Sequence, residues 1–144
     1  MSICRYVCCT VTLTITADDE VDVYHNGEVV LTDDSWSTAD TVTLTNACVL
    51  AVQGVYHRGG GGDMGILAST STGVVTDASW KCSAMGQRDW YLPGFDDATW
   101  SQARVIATNG DAPWGTVDAI DAQAKWIWAQ GPRDANVYCR KTLC

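Results

Sequence analysis

The chain has 144 residues and a formal charge of −8, from 17 acidic residues against 9 basic ones. That length suits one domain spanning 1–144 with a core of its own. The charge repels phosphate backbones and anionic lipid, which argues against nucleic acid as a partner, and no apolar run reaches membrane-spanning length. Only Glu20 and Glu28 are glutamates and the remaining acids are all aspartates, a skew away from helix formers toward turn formers. With 13 glycines, 7 tryptophans and many Thr and Val, the composition predicts an all-β fold. Seven cysteines lack the paired spacing of a zinc site and predict disulfides in an oxidising compartment. The odd count leaves one thiol over, expected in the terminal cluster Cys4, Cys8, Cys9 and Cys144, where it offers a route to a disulfide-linked homodimer. The first nine residues carry no signal-peptide pattern, so the chain reads as a mature secreted form.

In chain order, residues 10–16 alternate Thr with Val, Leu and Ile as a strand with one buried face. They run into Asp18-Asp19, a carboxylate pair at a corner between strands. Val21, Val23 and His25 then alternate with Asp22 and Tyr24 up to Asn26-Gly27, the signature of a two-residue hairpin turn, with His25 placed on the inward face. Residues 28–31 return as a strand, 32–40 form a polar loop holding Trp36, and 41–44 and 48–54 give two more strands. Four glycines at 59–62 lie between His57-Arg58 and Asp63, a loop whose backbone approaches a neighbour closely. Residues 65–69 form a further strand. Two similar phrases follow, Thr76-Asp77-Ala78-Ser79-Trp80 and Phe95-Asp96-Asp97-Ala98-Thr99-Trp100, each an Asp-led turn closed by a tryptophan that packs beneath it. Trp80, Trp100, Trp126 and Trp128 are assigned to the core. Residues 124–129 and 136–143 supply closing strands, and turn signals every eight to twelve residues predict an antiparallel β-sandwich.

Six phrases taken in order, from Thr16-Ala17-Asp18-Asp19 with Asn26-Gly27, through Leu50-Ala51-Val52, Gly65-Ile66-Leu67-Ala68, Thr76-Asp77 to Trp80-Lys81 and Phe95-Asp96-Asp97 to Trp100, to Val137-Tyr138-Cys139-Arg140-Lys141, resemble the galactose-binding-domain-like jelly roll. Within it the chain is similar to calcium-dependent rhamnose-binding modules of rhamnosidases and to galactose-specific lectins of sea anemones. The resemblance implies a bound Ca²⁺ that itself receives two vicinal sugar hydroxyls. Carried over by position, it implies Asp18, Asp19, Tyr56 (through its backbone oxygen) and Asp63 as metal ligands, and Trp36, His57, Arg58 and Asp63 as sugar contacts. The chain departs from the family at Tyr56, where an Asn is usual, and at Asp63, where a Pro is usual.

Each of these residues has a plainer reading: Asp18-Asp19 as a cap on a β-corner, Trp36 as a rim of the core, His57 and Arg58 as solvated surface, and the glycines as a loop tip. The expected function is a non-catalytic, Ca²⁺-dependent lectin for terminal sugars of glycoconjugates, galactose being favoured on the animal-lectin resemblance. Paired sites in a homodimer would give such a lectin avidity. Two alternatives stand beside it. One is a structural or protein-binding sandwich without a sugar site; the other is a glycosidase, disfavoured because both glutamates sit in one hairpin and only two histidines are available as bases.

Overall fold

The structure is a computed structural model and describes residues 8–57 and 64–144. It is all-β: two antiparallel sheets pack face to face as a sandwich, with no helix among the described residues. The strands are β1 (Cys9–Asp18), β2 (Glu20–His25), β3 (Glu28–Asp33), β4 (Asp40–Ala47), β5 (Val49–Val55), β6 (Gly65–Thr70), β7 (Lys81–Ser83), β8 (Ser101–Gln102), β9 (Arg104–Thr108), β10 (Lys125–Trp128) and β11 (Val137–Thr142). One sheet runs β4-β1-β6-β10-β9 and the other β3-β2-β5-β11-β7-β8.

Alternation in the sequence decides which side chains enter the interior. Val11, Leu13 and Ile15 of β1 meet Val21 and Val23 of β2, Leu50 and Val52 of β5, and Val137 and Cys139 of β11 in one core shared by both sheets. The Asn26-Gly27 turn forms as expected, with φ of 52° and 80°, and pairs His25 with Glu28. His25 lies at the end of the inward row, half-buried, with Nε2 2.9 Å from the Thr45 carbonyl. At Gly54 an added Cβ would fall 2.6 Å from the Trp128 ring, so β5 passes that indole as only glycine allows.

Three strands lie outside the expected set, β7, β8 and β9. Runs of two or three residues carry too little alternation to read, and β9 is an edge strand with one exposed flank. The expected Asp-led turns are present: Trp80 N–H donates to the Asp77 carbonyl and Trp100 N–H to the Asp97 carbonyl, while Asp77 and Asp96 accept from the amides two residues on. Both indoles are buried.

Each sheet also carries an irregular cover on its outer face. Residues 109–124 lie over Leu67 and Trp126, organised by the Asn109 side chain, whose amide donates to the carbonyls of Val117, Ile120 and Asp121. Residues 84–100 cover Tyr24, Ala51 and Tyr138 with Trp90, Tyr91, Phe95 and Trp100. Three disulfides, Cys8–Cys48, Cys9–Cys144 and Cys82–Cys139, close the framework, and Cys4 lies outside the described residues. Three disulfides in so short a chain fit an oxidising, extracellular setting.

Candidate functional site

The acidic corner forms where β1 crosses from one sheet to β2 in the other. Asp18 ends β1 opposite Gly65 of β6, and the Asp18–Asp19 peptide bond is cis. Each carboxylate has a fixed donor. Trp114 Nε1 donates to Asp18 Oδ2 at 3.0 Å, and the backbone N–H of His57 donates to Asp19 Oδ2 at 2.7 Å. His57 Nε2 stands 3.2 Å from Glu20 Oε1, so Glu20 belongs to this corner as well as to its strand.

Trp114 is the residue that the sequence did not reveal. Its indole stacks on Trp126 at 4.1 Å between ring centroids, and the pair lies across Gly65, where a Cβ would come within 2.9 Å of Trp126 and 3.2 Å of Trp114. Gly65 thus gives the indole pair its seat beside Asp18. Trp114 is 96 residues from Asp18 in sequence, and the only local sign is its place between Pro113 and Gly115 in a turn.

The loop between β3 and β4 approaches the same corner. Thr16, two residues before Asp18, donates its hydroxyl to Asp33 Oδ1 at 3.1 Å and to the Ser35 carbonyl at 2.8 Å. Ser35 opens a turn closed by Thr38 N–H, and Trp36 rides on that turn. Of the seven tryptophans six are buried, whereas Trp36 is 41% exposed and its ring has no aromatic partner among the described residues. Asp33 itself is buried, and its carboxyl is pushed up to about 6, first by burial and then by its side-chain hydrogen bond to Asp40; the bonds from Ser35 and Thr16 act the other way.

The expected site residues therefore fall into three groups. Asp19 and His57 meet directly, Asp18 beside them bonds Trp114, and the turn that carries Trp36 is tied by the Thr16–Ser35 bond to β1 two residues before Asp18. Tyr56 precedes His57, but its contacts lie elsewhere: its N–H donates to Asn136 Oδ1 and its ring packs on the core. Arg58 and Asp63 lie outside the described residues. The donor set fits a hard cation better than a soft one, because its side chains are carboxylates and six of the cysteines are held in disulfides. Among the described residues no group of three or more His, Cys, Asp or Glu side chains converges as a metal centre. A cation at this corner would draw further oxygens from backbone carbonyls or from its ligand. No protein-family model, curated protein or solved structure matches the chain.

Proposed function

We propose that this chain is a non-catalytic carbohydrate-binding module that holds Ca²⁺ at the Asp18-Asp19 corner and takes terminal galactose-type sugars there. The observation that carries this reading is Trp36, the single exposed tryptophan, on a turn tied to the strand that ends in two oriented carboxylates. A flat indole face offers a surface for the C–H side of a pyranose, and the polar groups beside it suit the hydroxyls. Asp18 and Asp19 hold the ion, each oriented by its N–H donor, and the Tyr56 backbone lies next to the His57 amide that holds Asp19. Calcium, when bound, contributes an oxygen shell of six to eight ligands into which vicinal sugar hydroxyls fit.

Calorimetry with Ca²⁺ and galactose tests it. EDTA is expected to abolish sugar binding, and Asp19→Asn to weaken Ca²⁺ by about tenfold or more, as loss of a charged ligand should. Trp36→Ala is expected to leave Ca²⁺ affinity intact while lowering sugar affinity by up to about tenfold, the size of one ring-stacking contact. Absence of heat from Ca²⁺ and from a panel of neutral sugars would leave a structural or protein-binding sandwich as the reading.

A further inference from the structure

A cavity of about 300 Å³ opens on the same end of the sandwich as the acidic corner, between β7, β8 and the segment after β10. Its walls include Ser83, Met85, Gln87, Thr99, Trp100 and Ser101. No Asp, Glu, Lys, Arg or His lines it, in a chain of charge −8, and its one cysteine, Cys82, is in a disulfide. Three polar groups on these walls are unused: the hydroxyls of Thr99 and Ser101 and the amide nitrogen of Gln87 make no hydrogen bond among the described residues. Gln87 Oε1 meanwhile accepts the Trp100 indole N–H at 3.0 Å and so fixes the orientation of that ring. Met85, 71% exposed, is the most exposed of the large apolar side chains among the described residues. Neutral hydroxyl and amide groups beside an exposed thioether suit a ligand that is uncharged, rich in hydroxyls and apolar on one face.

The register places this cavity relative to the corner. Asp22, Gln53, Tyr138 and Ser83 are paired in one row across β2, β5, β11 and β7. Glu20 and Met85 each lie two residues beyond that row at the same end, so Glu20, at the edge of the corner, and the cavity are separated by three strand spacings, about 14 Å. That gap exceeds one pyranose ring and is within reach of a short oligosaccharide.

We propose that this cavity is a second, metal-free carbohydrate subsite, and that the ligand is a neutral oligosaccharide reaching along the rim from the Asp18-Asp19 corner to Trp100. The choice of a sugar as ligand rests on the function proposed above, whereas the cavity itself does not depend on Ca²⁺. The test is calorimetry with galactose and with neutral galacto-oligosaccharides of two to four rings, in Ca²⁺ and in EDTA. Wild-type affinity is expected to rise at least tenfold with chain length. Thr99→Trp, which fills the cavity, is expected to remove that gain and leave galactose and Ca²⁺ affinity unchanged. The milder Thr99→Ala/Ser101→Ala pair should reduce the gain, which guards against misfolding in the bulky variant. Affinity independent of chain length, or a gain that survives Thr99→Trp, overturns the subsite. Binding that ignores EDTA and Asp19→Asn but is lost in Thr99→Trp keeps the subsite and removes the calcium corner. No binding of any oligomer overturns both.

Discussion

At the scale of single residues, Asp33 joins stability to the candidate site. It is buried at the end of β3, accepts from Thr16 and from the Ser35 amide, and hydrogen-bonds Asp40 at the start of β4. With its folded pKa raised to about 6 from an ordinary 3.8, the folded state binds more protons than the unfolded chain between those values. Stability therefore falls as pH rises through that window, and the full loss, at most about 3 kcal/mol, is reached above pH 6. The proton's departure leaves a buried, charged Asp33 at the base of the Trp36 turn. Asp33→Asn keeps the acceptor for Thr16 and Ser35 and gives Asp40 a permanent donor. Its stability is expected to be flat from pH 4 to 6.5 and higher than wild type by about 1–3 kcal/mol at pH 7. Urea unfolding at a series of pH values checks this. An unchanged profile in the variant would remove Asp33 as the cause.

Among the elements, the cover over the second sheet depends on one buried cation. Arg140 is on the outward face of β11 yet only 3% exposed, because residues 84–100 fold across it. Its guanidinium donates to Asp97 at 2.9 Å and to the carbonyls of Trp90, Leu92 and Phe95, and it sits 5.2 Å from the Phe95 ring centroid. Arg140→Met leaves three carbonyls and a carboxylate without their donor, so a loss of about 2–4 kcal/mol is expected. Amide exchange should accelerate within 84–100 and stay slow in β1, β5 and β6; uniform acceleration would show that the cover is not a separate unit. These features also mark how far local pattern reaches. Asn26-Gly27 and the two Asp-led tryptophan turns were legible because each is settled within six residues by turn chemistry. Arg140 was illegible, since alternation in 137–142 assigns it to solvent and the segment that buries it is some fifty residues away. Trp114 at the acidic corner was hidden for the same reason, while Asp18, Asp19 and His57 were named by position in the resemblance, and the structure joins Asp19 to the His57 amide.

Over the whole molecule, two of the three disulfides lie at the end opposite the acidic corner. β1 begins at Cys9, beside the Cys8–Cys48 and Cys9–Cys144 bridges, and ends nine residues later at Asp18, about 30 Å away along an extended strand. The third bridge, Cys82–Cys139, joins paired positions of β7 and β11 inside the core. Accessibility to a thiolate reductant differs accordingly: Cys144 is exposed and Cys8, Cys9 and Cys48 are half-buried, whereas Cys82 and Cys139 are 2% and 0% exposed. Dithiothreitol under native conditions is therefore expected to open the two terminal bridges first and to reach Cys82–Cys139 only when the sandwich unfolds. Alkylation followed by peptide mass mapping reads the order directly. Because the terminal bridges lie at the end remote from Asp18 and Asp19, the partly reduced protein should melt at a lower temperature yet retain the proposed Ca²⁺ and sugar binding at the level of the oxidised form. Simultaneous loss of affinity and of the terminal bridges would mean that the two ends of β1 are energetically coupled, and that the corner depends on the staple at its far end.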